Sequence, residues 1–130
     1  MSTAADVADR LYERWNSDGL SVLADSVDPS IQLVTDPLRP DASALHGPEG
    51  WDTWVQRWEQ SYDDVHVTVD ALVPMDAEHV LALVSITATP KGAANELSWA
   101  AAHLWTVREG RIARWETHMD LAAARRTLDA

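Results

Sequence analysis

A chain of 130 residues with a formal charge of −11 fits one domain, spanning 1–130, with its own core. The charge argues against a nucleic-acid partner, because phosphates demand a basic footprint. Lack of cysteine excludes disulfides and thiolate metal sites, and without a long apolar run or a leader-like N-terminus a cytoplasmic protein with no membrane partner is expected.

Val7, Leu11 and Trp15 recur every four residues, with Ala8 and Tyr12 beside them. That stripe predicts a helix from Ala4 to about Trp15, and Asn16-Ser17-Asp18-Gly19 stops it. A short second helix, about Leu20 to Val27, turns Leu20, Leu23 and Val27 inward before Asp28-Pro29. Ile31 to Thr35 reads as a short strand running into Asp36-Pro37, and Pro37 to His46 as a loop long enough to be functional. Gly47-Pro48, with Glu49 and Asp52, opens a third helix. Its Trp51, Trp54, Val55, Trp58 and Tyr62 form a broad aromatic stripe, and Asp63-Asp64 ends it.

From Val65 the period changes to two. Val65, Val67, Val69 and Ala71 alternate with His66, Thr68 and Asp70, as a strand with one wet face does. Val80 to Thr89 and much of Trp99 to Val107 are apolar on both faces, so both sides need a cover. Asn95 to Asp120 reads as a hairpin around Glu109-Gly110, and LAAARRTL after Asp120 as a short closing helix. The order predicts an α+β domain, with three N-terminal helices on one face of a mostly antiparallel sheet.

The hairpin carries the chemistry. His103 lies among apolar neighbours on its first arm, on the face of Trp99, Ala101 and Trp105. Glu116, His118 and Asp120 share one face of the second arm if it has no bulge. Seven Trp, two Tyr and no Phe supply large rings for a core or for the walls of an apolar site. No motif signature supports a metal role for His103, Glu116, His118 and Asp120, and neither metal nor cofactor is expected.

The element order and the segments LHGPEGWDTW, HLWTVREGRIARWETHMD and VTDP resemble the SnoaL-like family of the nuclear-transport-factor-2-like superfamily. Ketosteroid isomerases, polyketide cyclases and limonene epoxide hydrolases are relatives. The resemblance implies a cone-shaped roll with a strongly curved sheet around one apolar pocket, and homodimers formed through the outer face of the sheet. It places Asp36 at the isomerases' general base and His103 at their enolate-stabilising acid. The isomerases' tyrosine falls nearest Leu11, one residue from Tyr12. Asp120 matches the terminal aspartate that cyclases and epoxide hydrolases use as acid or base. The Arg and Asp that the hydrolases carry on the preceding strand have no counterpart beside Ser98, Trp99 and His103.

The function expected is cofactor-free proton transfer on a small apolar, carbonyl-containing or polyketide-like substrate, of isomerase, cyclase or dehydratase type. Asp120 or Asp36 would move the proton and His103 would donate to an oxyanion. Tyr12, Trp15, Trp54, Trp58, Trp99, Trp105 and His118 are the candidate substrate contacts. The alternatives are a non-catalytic ligand-binding or dimerisation module and an epoxide hydrolase.

Overall fold

Helix α1, Ala4–Asp18, begins where the Thr3 hydroxyl accepts from the Asp6 amide and the Asp6 carboxylate accepts from the Thr3 amide. Two backbone donors that a helix start leaves orphaned are thereby satisfied. The structure is a computed structural model that describes residues 3–35 and 43–118. Asp36, Asp120, residues 37–42 and the expected closing helix lie outside the described residues. α1 buries Val7, Ala8, Leu11, Tyr12 and Trp15, the stripe its periodicity predicts.

Gly19, at φ 97°, ends α1; positive φ suits glycine. The second helix is a 3₁₀ helix, Leu20–Ser26. Arg14 of α1 pins it by donating to the Val22 carbonyl, Ser26 and Asp25. Strand β1, Val27–Thr35, begins four residues before the predicted Ile31 and runs through Asp28-Pro29. The predicted loop ends as a strand, β2, Ser43–His46, paired antiparallel with β1.

Helix α2, Gly47–Ser61, has proline in its first turn and buries Gly50, Trp51 and Val55. It gives way to β3, Tyr62–Pro74, three residues earlier than the alternation at Val65 predicts. β4, His79–Pro90, β5, Leu97–Arg108, and β6, Arg111–His118, complete an antiparallel meander. The six described strands form one mixed sheet in the order β2-β1-β6-β5-β4-β3, parallel only between β1 and β6.

Both α-helices pack on one face of this sheet, where a single core joins Leu11, Tyr12 and Trp15 to Val67, Val84, Ile86, Trp105 and Trp115. A smaller cluster, Leu81 and Ala102 with Val73, Leu83 and Leu104, lies on the opposite face. No described helix is long and apolar enough to cross a membrane.

Candidate functional site

Two elements bring the central polar groups together. Tyr12 projects from the buried stripe of α1, and His103 from the inner face of β5, two residues from Trp105. The Tyr12 hydroxyl lies 2.7 Å from His103 Nδ1, and Trp105 Nε1 donates to the same oxygen at 2.8 Å. His103 is 1 % exposed, Tyr12 2 % and Trp105 0 %, so water does not compete for these bonds.

The hydrogen positions follow from the donors available. An indole nitrogen only donates, so the Tyr12 oxygen accepts from Trp105, and among the described residues the one acceptor left for the buried Tyr12 hydrogen is His103 Nδ1. A neutral His103 then carries its proton on Nε2. Burial, and secondarily the charge of nearby His118, lowers the His103 pKa to about 3. Burial likewise raises the Tyr12 pKa well above the ordinary phenol value, partly opposed by the Trp105 bond. Both groups stay neutral at physiological pH. His103 is therefore built as an uncharged N–H donor.

A bulge decides which residues join it. Arg108 opposes Arg111 and Val107 opposes Ile112, but Thr106 opposes Arg114, leaving Ala113 as an extra residue on β6. A regular hairpin would set Glu116 opposite His103. The bulge shifts the register by one residue, so Thr117 stands opposite His103 and Trp115 opposite Trp105. A one-residue shift exchanges the faces of a strand. Glu116 and His118 still share a face, at 3.2 Å, but it is the outer one, where Arg114 binds Glu116 at 2.8 Å. His118 is buried there, away from the inner face that holds His103. The sequence signals that could have found Trp115 and Thr117 were inverted by this one residue.

Aromatic rings surround His103 on the inner face. Trp115 crosses it edge-on at 5.2 Å and stacks on Trp105 at 4.4 Å. Trp15, from α1, lies 5.8 Å from Trp115 and 5.5 Å from Trp58. The half-buried rings of Trp54, Trp58, Tyr62 and Trp99 continue the wall, with Trp58 stacked on Trp99. Each candidate contact but His118 thus belongs to one continuous aromatic surface. The candidate carboxylates Asp36 and Asp120 lie outside the described residues.

Among the described residues no three His, Asp or Glu side chains stand together as metal ligands. His46 and His66 are exposed, and His79 binds Asp76 at 2.8 Å. A cleft of about 370 Å³ on the outer face is lined by Gln32, Thr106, Arg108 and Arg114, among others. It is separate from His103, and its arginines face Glu116 and Glu78.

A sequence model described as the SnoaL-like domain matches residues 8–115. The chain belongs to this SnoaL-like family. No curated protein matches it. Among solved structures, an NTF2-like protein of unknown function from Burkholderia pseudomallei is 16 % identical, with TM-score 0.76 and full coverage of both chains. A SnoaL-like polyketide cyclase, so described provisionally, from a Jannaschia species is 17 % identical with TM-score 0.71, covering 96 % of this chain and 90 % of its own. An epoxide hydrolase of limonene-hydrolase-like type from M. tuberculosis is 14 % identical with TM-score 0.68, covering 96 % and 88 %. At such identities these likenesses establish the SnoaL-like fold, and a fold of this kind hosts several chemistries.

Proposed function

We propose that this protein moves a proton next to the carbonyl group of a small apolar substrate, as an isomerase, cyclase or dehydratase. The observation that carries this reading is the buried chain from Trp105 through Tyr12 to His103. Such a chain fixes the imidazole's tautomer and leaves Nε2–H to donate to a developing oxyanion. A neutral donor suits the task, because no charge has to be desolvated to place it in an apolar site. Tryptophan walls exclude water, and Asp120 or Asp36 takes and returns the proton. The cyclase among the fold relatives supports the reaction class.

Deuterium exchange tests the reading without knowledge of the product. Enolisable ketones and 1,3-diketones are incubated with the protein in D₂O, and loss of α-proton NMR signal is followed. Accelerated exchange is expected for the best substrate. His103→Phe should slow it by about 10²–10³, the usual cost of one oxyanion donor, and either Asp120→Asn or Asp36→Asn should abolish it. Full rate in His103→Phe, or no exchange with any compound, would sink the proposal.

A second reading, a ligand-binding module without chemistry, is favoured by the close stacking of Trp105 on Trp115, both fully buried. The same experiment separates it, since such a module binds ketones without exchanging their protons. An epoxide hydrolase is less well supported, because β5 offers no paired Arg and Asp. We further propose a homodimer through the outer face of the sheet, where Val73, Leu83 and Leu104 surround Leu81 and Ala102.

A further inference from the structure

Two bulges meet at one end of the outer face. From Val27 to Gln32 strand β1 advances five residues, while β6 advances two, from Ile112 to Arg114. Ala113 is the extra residue of β6 against β5. Bulges interrupt a ladder and re-aim side chains, often beside sites. Here they border the cleft of about 370 Å³, lined by Ala113 and six hydrogen-bonding residues, none of them acidic. That volume exceeds one ion and falls in the range of small-molecule sites. Arg114 is held in place on two sides. Its Nε donates to Glu116 Oε1 at 2.8 Å, Nη2 lies 2.8 Å from the same oxygen, and Nη1 donates to Gln32 Oε1 at 2.6 Å. Gln32 is thereby left with its amide hydrogens to donate, and Arg114 with further hydrogens on Nη1 and Nη2. Arg108 reaches Glu78 only at 3.8 Å, with both side chains more than half exposed, a pair worth little in water. Thr106 is 6 % exposed, and its hydroxyl has no hydrogen-bond partner among the described residues. Buried hydroxyls are nearly always bonded, so one that lines a cleft without a partner points to a ligand.

We propose that this cleft binds a small hydroxylated oxyanion, a carboxylate or phosphate group on a short polyol skeleton. The inference is independent of the proton-transfer reading, because the cleft lies on the opposite face of the sheet from His103. Donors meet the charge. Arg114 and Arg108 make charge-assisted bonds, about twice as strong as neutral ones, and Gln32 and Thr106 add neutral ones. Acceptors meet the hydroxyls. Ser30 spends its hydrogen on Asp28 at 2.7 Å, so its oxygen is left to accept. His79 binds Asp76 through Nδ1, which leaves Nε2 to accept in the neutral ring. The carboxylates of Glu116, Glu78, Asp76 and Asp28 surround the cleft, but each is paired with a lining side chain. The chain's charge of −11 opposes an anion, so recognition rests on fixed donors in place of a positive field. Ala113 is the one apolar lining residue, so a flat hydrocarbon has no wall to pack on. His79 and Thr106 stand one cross-strand row beyond Leu81 and Leu104, so the cleft uses different side chains from the proposed apolar interface.

Side-chain N–H resonances of the ¹⁵N-labelled protein provide the test, at an ionic strength held fixed with NaCl. The probes are glycerate and glycerol 3-phosphate, with glycerol as the uncharged control. At least one anion should shift the Arg108 and Arg114 Nε signals to saturation, assigned through Arg108→Gln and Arg114→Gln, and glycerol should not. The tighter anion names the group, glycerate a carboxylate and glycerol 3-phosphate a phosphate. Arg108→Gln should weaken that anion about 10- to 100-fold, the worth of a hydrogen bond to a charged group. Thr106→Val keeps the β-branch and removes the hydroxyl. It should weaken the same anion about 3- to 10-fold, the worth of one neutral bond, without lowering the Tm, since the hydroxyl has no partner in the protein. Affinity lost together with stability in Thr106→Val would mark the hydroxyl as structural and overturn the proposal. Attraction by charge alone would respond to Arg108→Gln and not to Thr106→Val, and that result overturns it too. Equal shifts with glycerol, shifts that never saturate, or no shift with either anion do the same.

Discussion

The Tyr12 hydroxyl uses both halves of its hydrogen-bonding capacity inside the core, accepting from Trp105 and donating to His103. Replacing it with Phe conserves the ring but strands a buried indole N–H and a buried imidazole nitrogen. Tyr12→Phe should therefore lose about 1–3 kcal/mol of stability, the cost of unpaired buried groups, read from urea denaturation. The ¹⁵N shifts of His103 should change in the same variant, because its Nδ1 has lost the proton donor that fixes the tautomer. Wild-type stability with unaltered histidine shifts would show that the chain is not formed. His103 also sets an acid limit. Its folded pKa, about 3, lies below the ordinary histidine value, so the unfolded chain binds the extra proton first as pH falls. The stability this contributes is complete above about pH 6.5, and up to roughly 5 kcal/mol is lost between there and pH 3, at about 1.4 kcal/mol per pKa unit. Asp28 and Asp76, lowered chiefly by side-chain hydrogen bonds from Ser30 and His79, lose theirs only below the ordinary carboxylate range. In His103→Phe the slope between pH 6 and 4 should flatten in denaturation series at stepped pH; an unchanged slope would assign it to other groups.

Helix α2 reaches its place only because one position lacks a side chain. A Cβ on Gly50 would come within 2.9 Å of the Leu45 backbone in β2, closer than nonbonded carbons tolerate. Gly50→Ala should push α2 off β2, tilt Trp51 and Trp54, and cost about 1–3 kcal/mol as overpacking does, whereas alanine in an uncrowded helix would stabilise. A rise in the denaturation midpoint would show that the contact is slack. The same scale explains what the sequence revealed and what it hid. Periodicity located α1, α2 and the four-stranded meander, and Glu109-Gly110 marked the hairpin because both take positive φ, 53° and 77°, as a type I′ turn requires. The inner face of β5 was legible as Trp99, Ala101, His103 and Trp105. The facing residues of β6 were not, because Ala113 carries no mark of a bulge: a small apolar residue among alternating ones looks like any other strand position. The short β2 was lost for a related reason, since four residues hold too little periodicity to register. Tyr12 was legible as part of a helical stripe, but its bond to His103, 91 residues away, depends on how α1 crosses the sheet, which no local pattern encodes.

The whole sheet has to manage two edges and one apolar outer face. At the β3 edge, the Asn16 side chain bonds the Val67 amide and carbonyl at 2.8 and 2.7 Å, pairing groups that an edge leaves free to recruit other strands. The outer face is harder to satisfy. A sheet face in contact with water is normally polar, yet β4 and β5 turn the partly buried Leu83 and Leu104 outward beside Leu81 and Ala102, which are fully buried. Around them the composition becomes polar, with Ser85, Thr87 and Ser98 toward one end and Arg114 and Glu116 toward the other. An apolar centre inside a polar rim is the anatomy of a protein interface, and a second copy of this chain matches it by two-fold symmetry. The opposing term is charge, since two chains at −11 each repel one another over distances that salt screens. The dimer should therefore tighten between about 0.02 and 0.5 M NaCl, contrary to an interface held by ion pairs, for which screening weakens binding. Sedimentation velocity across that range checks it. Leu104→Glu should shift the population to monomer at every salt concentration, by placing a charge at the apolar centre. A wild-type protein that sediments as a monomer throughout would leave this face without its proposed partner.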